Sequence, residues 1–106
     1  MNKYVKQKTK KHYDEMIAWA ETQNKKSRSN PDVMKAQIKQ NWYGDSCNYC
    51  RYINKRNLSC SDCNLNSLYQ PNMCCNGLWH KMSQAVTWGA WIKQAKLVRQ
   101  YIIDNG

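Results

Sequence analysis

The chain has 106 residues, 17 Lys and Arg against 7 Asp and Glu, six Cys, five Trp, seven Tyr and no Phe. That length predicts one domain with a modest core. No stretch approaches the roughly 20 apolar residues of a membrane span, and MNKYVKQKTKKHY carries positive charge without the apolar run of a secretory signal, so the expectation is a non-membrane, cytosolic protein with reduced thiols.

Residues 4–23 read as the first helix. Val5, Thr9, His12, Met16, Trp19 and Gln23 recur at spacings of 3 and 4, with Tyr13 and Ala20 beside that stripe. His12 at the stripe's edge reads as a partly buried structural histidine. NKKSRSN, residues 24–30, is a loop. A second helix is expected over 31–43. Ser29 or Asn30 can cap it, Pro31 suits its first position and Asp32 its positive end, while Met34, Ile38 and Trp42 share a face and Gly44 stops it.

From Asp45 to Gly77 no period holds, and a structureless loop of that length in a small domain needs a replacement for the missing core. The sulfur pattern supplies one. Cys47 and Cys50 form one C-x-x-C pair, Cys60 and Cys63 a second, and Cys74-Cys75 follow. Two such pairs offer four soft thiolates to a tetrahedral Zn²⁺. An iron–sulfur cluster is the alternative, since the ligands are the same. Arg51, Lys55 and Arg56 would offset the charge of a Zn(Cys)₄ unit. The spacer between the pairs is shorter than in common zinc ribbons, so a small knuckle-like unit is expected. Cys75 or Cys74 can displace Cys60, and His80 is a further alternative ligand whose ordinary reading is a surface histidine.

The final helix is expected over 78–104. Trp88, Trp91, Ala95, Val98 and Ile102 form its apolar stripe, with Lys93, Lys96 and Gln100 opposite. Gly89 costs that helix roughly 1 kcal/mol relative to Ala and marks a close approach. The tryptophan stripes can pack on one another without the metal. The fold class is therefore mainly α: about three helices in a single domain, 1–106, with an irregular metal-stapled insert over 45–77.

Function is bounded by what is missing as well. No strand pattern supports a thioredoxin-like redox centre, no Gly-rich phosphate loop occurs, and the deaminase zinc signature is absent. A non-enzymatic protein is expected. Residues 1–28 hold 8 basic and 3 acidic side chains, a balance suited to nucleic acid or to an acidic protein surface. Tyr49, Arg51, Tyr52, Lys55 and Arg56 mix aromatic and cationic groups as a partner-binding loop does, with Tyr69 a further anchor.

The succession HYDEMIAWAETQ, WYGDSCNYC, CSDC-NL and CCNGLWHKM, followed by a Trp-rich helix, is similar to a group of small phage-encoded Cys-rich proteins. Their frame is C-x-x-C, then C-x-x-C with a Pro-Leu-like step, then one or two Cys before a Trp. Asn64-Leu65 stands here where many members have Pro-Leu. The resemblance implies a zinc-binding protein acting in the cytoplasm of a bacterial host. It also implies an anti-CRISPR role, the direct inhibition of a host defence protein, most concretely a type II CRISPR effector nuclease. The alternative expectation is a zinc-knuckle-like regulatory protein that binds DNA or RNA.

Overall fold

The computed structural model describes residues 3–43, 55 and 78–105. The expected metal-stapled insert lies outside the described residues, Lys55 excepted. The described chain forms four helices: α1 Lys3–Glu21, α2 Pro31–Ile38, α3 Leu78–Ser83 and α4 Trp88–Asn105.

In α1, Val5, Thr9, His12, Tyr13, Met16, Ile17 and Ala20 are buried. The first half of the expected stripe holds. In the second half the buried face turns toward Ile17 and Ala20, leaving Trp19 half-buried at its edge and Gln23 beyond the helix. The cause is α4, which packs along α1. Ion pairs from Asp14 to Arg99 and from Glu21 to Lys96 border their contact. The Thr9 hydroxyl is buried, and it donates to Val5 O at 2.8 Å inside its own helix, so its burial leaves no unmet donor.

The start of α2 follows the sequence rule. Asn30 Oδ1 accepts from the backbone N–H of Asp32 at 2.9 Å and of Val33 at 3.4 Å, and Pro31 occupies the first turn. Its end does not. The helix stops at Ile38, five residues before the expected boundary, because Lys39 turns into the left-handed region at φ 63° and donates its N–H to Lys35 O. For a non-glycine residue that conformation costs roughly 1 to 2 kcal/mol. Side chains beyond the turn offset it. Gln40 reaches back to His12 and Glu15 on α1. Asn41 Oδ1 accepts from Tyr43 N at 3.0 Å, and its amide nitrogen donates to Pro31 O at 3.4 Å. Trp42 is still buried, but it arrives through this turn and not along a helix face.

The expected final helix is two helices. A continuous helix would send the Trp88 N–H to Gln84 O. Instead it donates to Ser27 O at 3.0 Å, and Gly89 N donates to Lys25 O at 3.0 Å. Ser29 N in turn donates to Val86 O at 2.9 Å, and Arg28 and Thr87 form an antiparallel bridge. The loop after α1 thus captures the backbone of residues 85–89 and splits the helix. Thr87 then caps α4, its Oγ1 accepting from Ala90 N at 3.3 Å.

The break seats the tryptophans. Trp88 meets Trp19 edge to face at 5.1 Å between centroids and Trp42 at 6.1 Å, and Trp91 lies 5.0 Å from Trp42. Such pairs contribute about 0.5 to 1.5 kcal/mol each beyond area burial. Met16, Met34 and Met82 fill the space between the helices, all fully buried, as a flexible thioether does among irregular ring shapes.

Gly89 shows why this packing is close. A Cβ at this position would lie 3.2 Å from Lys25 O and 3.3 Å from Lys25 Cβ. On helix propensity alone Gly89→Ala should stabilise by roughly 1 kcal/mol. The expected outcome in thermal unfolding is no gain or a lower Tm, because the substitution pushes on the carbonyl that the Gly89 N–H must reach. A rise of several degrees would show that the loop contact is dispensable.

Candidate functional site

Tyr43 and Leu78 flank the cysteine-rich segment. Both ends of the intervening cysteine-rich segment are fastened at one place. The Trp79 indole N–H donates to Trp42 O at 2.6 Å. The Tyr43 ring stacks on Trp42 with centroids 6.1 Å apart and stands edge-on to Trp79 at 5.8 Å. Beneath them Trp42, Trp88 and Trp91 are buried. The segment therefore leaves and re-enters the helical frame over a single aromatic base. Joining the ends of a loop in advance removes part of the entropy that a site built within it would otherwise cost.

The expected metal ligands Cys47, Cys50, Cys60 and Cys63 lie outside the described residues. So do the alternatives Cys74 and Cys75, and Tyr49, Arg51, Tyr52, Arg56 and Tyr69. Lys55 is exposed. His80 is exposed on α3, directly after the Trp79 contact. Its carbonyl accepts from Ser83 Oγ and Gln84 N, so it stands at the base of the segment on a helical turn. Among the described residues no group of three or more His, Cys, Asp or Glu side chains converges to hold a metal.

His12 is buried, as expected, and belongs to a relay the sequence did not disclose. Gln40 Nε2 donates to Glu15 Oε2 at 2.7 Å, and His12 Nδ1 lies against Gln40 Oε1. A carboxylate only accepts, so the amide nitrogen of Gln40 faces Glu15 and its oxygen faces the ring. That assigns the proton to His12 Nδ1. The relay joins α1 to the turn that delivers Trp42 to the aromatic base.

Charge is distributed unevenly. Lys3, Lys6, Lys8, Lys10 and Lys11 occupy the first half of α1, and its carboxylates Asp14, Glu15 and Glu21 the second. Each of these carboxylates is engaged: Asp14 by Lys10 and Arg99, Glu15 by Lys11, Glu21 by Lys96. The pairs are solvent-exposed and contribute little to stability, but they cancel the acidic half of the helix locally. Between α1 and α4 lies an open groove of about 570 Å³, with Ile17 and Ala18 among its lining and Asp14, Glu21, Lys96 and Arg99 paired around it. Among the described residues, no helix is long and apolar enough to cross a membrane.

Comparison of the chain with protein-family models, with curated proteins and with solved structures finds no match.

The fastening of the segment is testable through one atom. Trp79→Phe keeps an aromatic ring and removes the N–H, leaving the Trp42 carbonyl without that donor. A loss of about 1 kcal/mol is expected in denaturant unfolding, with faster hydrogen exchange at residues 41–43 and 78–80. Unchanged exchange at both ends would mean that the contact does not hold them together.

Proposed function

We propose that this chain is a non-enzymatic, zinc-stapled docking protein: a helical frame that presents its cysteine-rich segment to a macromolecular partner. The observation that carries this reading is the closure of both ends of the segment by Trp79 on Trp42. A segment returned to one point over a buried aromatic base is suited to display. Four thiolates within it, Cys47, Cys50, Cys60 and Cys63, would replace the apolar core that its Asn- and Ser-rich sequence lacks. Tyr49, Arg51, Tyr52, Lys55 and Arg56 would then be the contact side chains. The partner class comes from the resemblance of the cysteine frame to small phage-encoded proteins. It is a host defence protein, most concretely a type II CRISPR effector nuclease, inhibited by direct binding in the bacterial cytoplasm.

The first test is elemental analysis of the purified protein. Close to one zinc per chain is expected, and iron or no metal would overturn the assignment. Structural zinc supplies about 10 to 16 kcal/mol of apparent binding energy in zinc-finger peptides. Cys50→Ser or chelation should therefore make residues 45–77 protease-sensitive while the helical signal of the Trp-packed frame persists. Unaltered protease resistance would remove zinc from its structural role.

The second test uses a purified type II effector loaded with guide RNA. A nuclease-resistant complex and loss of target cleavage are expected. Absence of both, with tight salt-dependent binding to DNA or RNA, would reassign the chain to nucleic-acid regulation.

A further inference from the structure

We propose that the first half of α1 is a contact surface for single-stranded nucleic acid, with Tyr4 as the stacking residue and the surrounding lysines as phosphate ligands. The inference does not rest on the docking reading above, because it uses neither the cysteine-rich segment nor a metal.

Four observations carry it. From Lys3 to Tyr13 the helix presents Lys3, Lys6, Lys8, Lys10 and Lys11 and no carboxylate. At helical spacing these fall into two rails: Lys3, Lys6 and Lys10 on one side, Tyr4, Lys8 and Lys11 on the other. With a rise of 1.5 Å per residue each rail runs for about 10 Å along the helix. Among the described residues no carboxylate pairs with Lys3, Lys6 or Lys8.

Tyr4 is the second observation. It is 62% exposed, more open than Tyr43 at 44%, while Tyr13, Trp42, Trp88 and Trp91 are buried in the core. Lys8 Nζ lies 4.8 Å from the ring centroid. Single-strand binders combine aromatic rings that stack bases with cations that track the backbone, and Tyr4 and Lys8 bring one of each together.

The third observation separates this partner from a lipid surface. A membrane-bound helix buries its apolar face in the lipid. That face of α1, from Val5 through Ala20, is already buried in the core against α4 and α2. What remains outside is the lysine-bearing face with Tyr4. The fourth is that the helix's own carboxylates are paired with Lys10, Lys11, Lys96 and Arg99, so that Lys3, Lys6 and Lys8 are the phosphate ligands. The acidic half therefore does not repel a polyanion as strongly as its sequence suggests.

The test is fluorescence anisotropy of the full chain with a labelled mixed-sequence single strand of about 20 nucleotides, titrated across salt. Lys3→Gln, Lys6→Gln and Lys8→Gln combined should lower the slope of log K against log salt by about 2, since each single-strand phosphate contact contributes about 0.7. A control triple with the same net charge, Lys26→Gln, Lys81→Gln and Lys93→Gln, should leave most of the slope in place. Tyr4→Ala should weaken single-strand binding about tenfold and remove the preference over duplex DNA, while Tyr4→Phe retains both. All the substituted side chains are exposed or half-buried, and circular dichroism checks that the helices persist.

Equal losses from the two lysine triples would overturn the proposal, since net charge alone would then explain binding. So would equal affinity for polyglutamate or for phosphatidylserine vesicles, or a Tyr4→Ala variant that binds the single strand as the wild type does. The effector assay is read on the same variants. Intact effector inhibition with lost strand binding separates this surface from the docking reading, and failure of effector inhibition leaves the strand-binding result standing.

Discussion

The fold turns on a short stretch of backbone pairing between the loop after α1 and residues 85–89. The carbonyls of Lys25 and Ser27 take the N–H groups of Gly89 and Trp88, and Val86 O takes that of Ser29. Those bonds are exchanged for the helical bonds that would have joined α3 to α4. The exchange is close to neutral in hydrogen-bond number, because each donor still finds an acceptor. What it changes is direction. Released from α3, α4 lies along α1 and delivers Trp88 to Trp19 and Trp42. In a continuous helix Met82 and Trp91, nine residues apart at 3.6 per turn, would face opposite sides, whereas here both are fully buried in one cluster.

The second consequence concerns the cysteine-rich segment. Trp42 leads into it and Trp79 follows it, and the hydrogen bond between them spans 37 residues of sequence. Trp42, Trp88, Trp91, Met34 and Met82 belong to one buried cluster with Met16, Ile17 and Ala20 of α1. The charge pattern runs in parallel. Carboxylates of α1 are spent on pairs with Arg99, Lys96 and their own helix, leaving the lysines of its first turns as the outward-facing charge.

Much of the frame was legible in the sequence because it depends on local rules. Asn30-Pro31-Asp32 marked a helix start, and Asn30 does cap it. The spacing of Trp88, Trp91, Ala95, Val98 and Ile102 marked a core-facing helix, and all five are buried. Burial of His12 followed from its place on the α1 stripe. The errors share a cause. Residues 31–43 and 78–104 each read as one helix: the spacing of Met34, Ile38 and Trp42 runs through the first break, and no Gly or Pro between Leu78 and Thr87 marks the second. At Lys39 a left-handed turn held by Gln40 and Asn41 interrupts it, and at 84–87 a distant loop does. Periodicity records which residues seek the core, not whether the backbone between them stays helical. The metal ligands Cys47, Cys50, Cys60 and Cys63 remain a reading of spacing.

The sequence by itself determined that this chain is helical, that its helices are held by tryptophan and methionine in place of phenylalanine, and that it carries a large surplus of positive charge. These follow from composition and from spacings of three and four, which act within one turn of chain. Tertiary structure alone decided where two helices end, which carboxylates are neutralised, and that Trp42 and Trp79 meet. Those outcomes depend on groups far apart in sequence competing for the same donors and acceptors, and no local pattern records who wins.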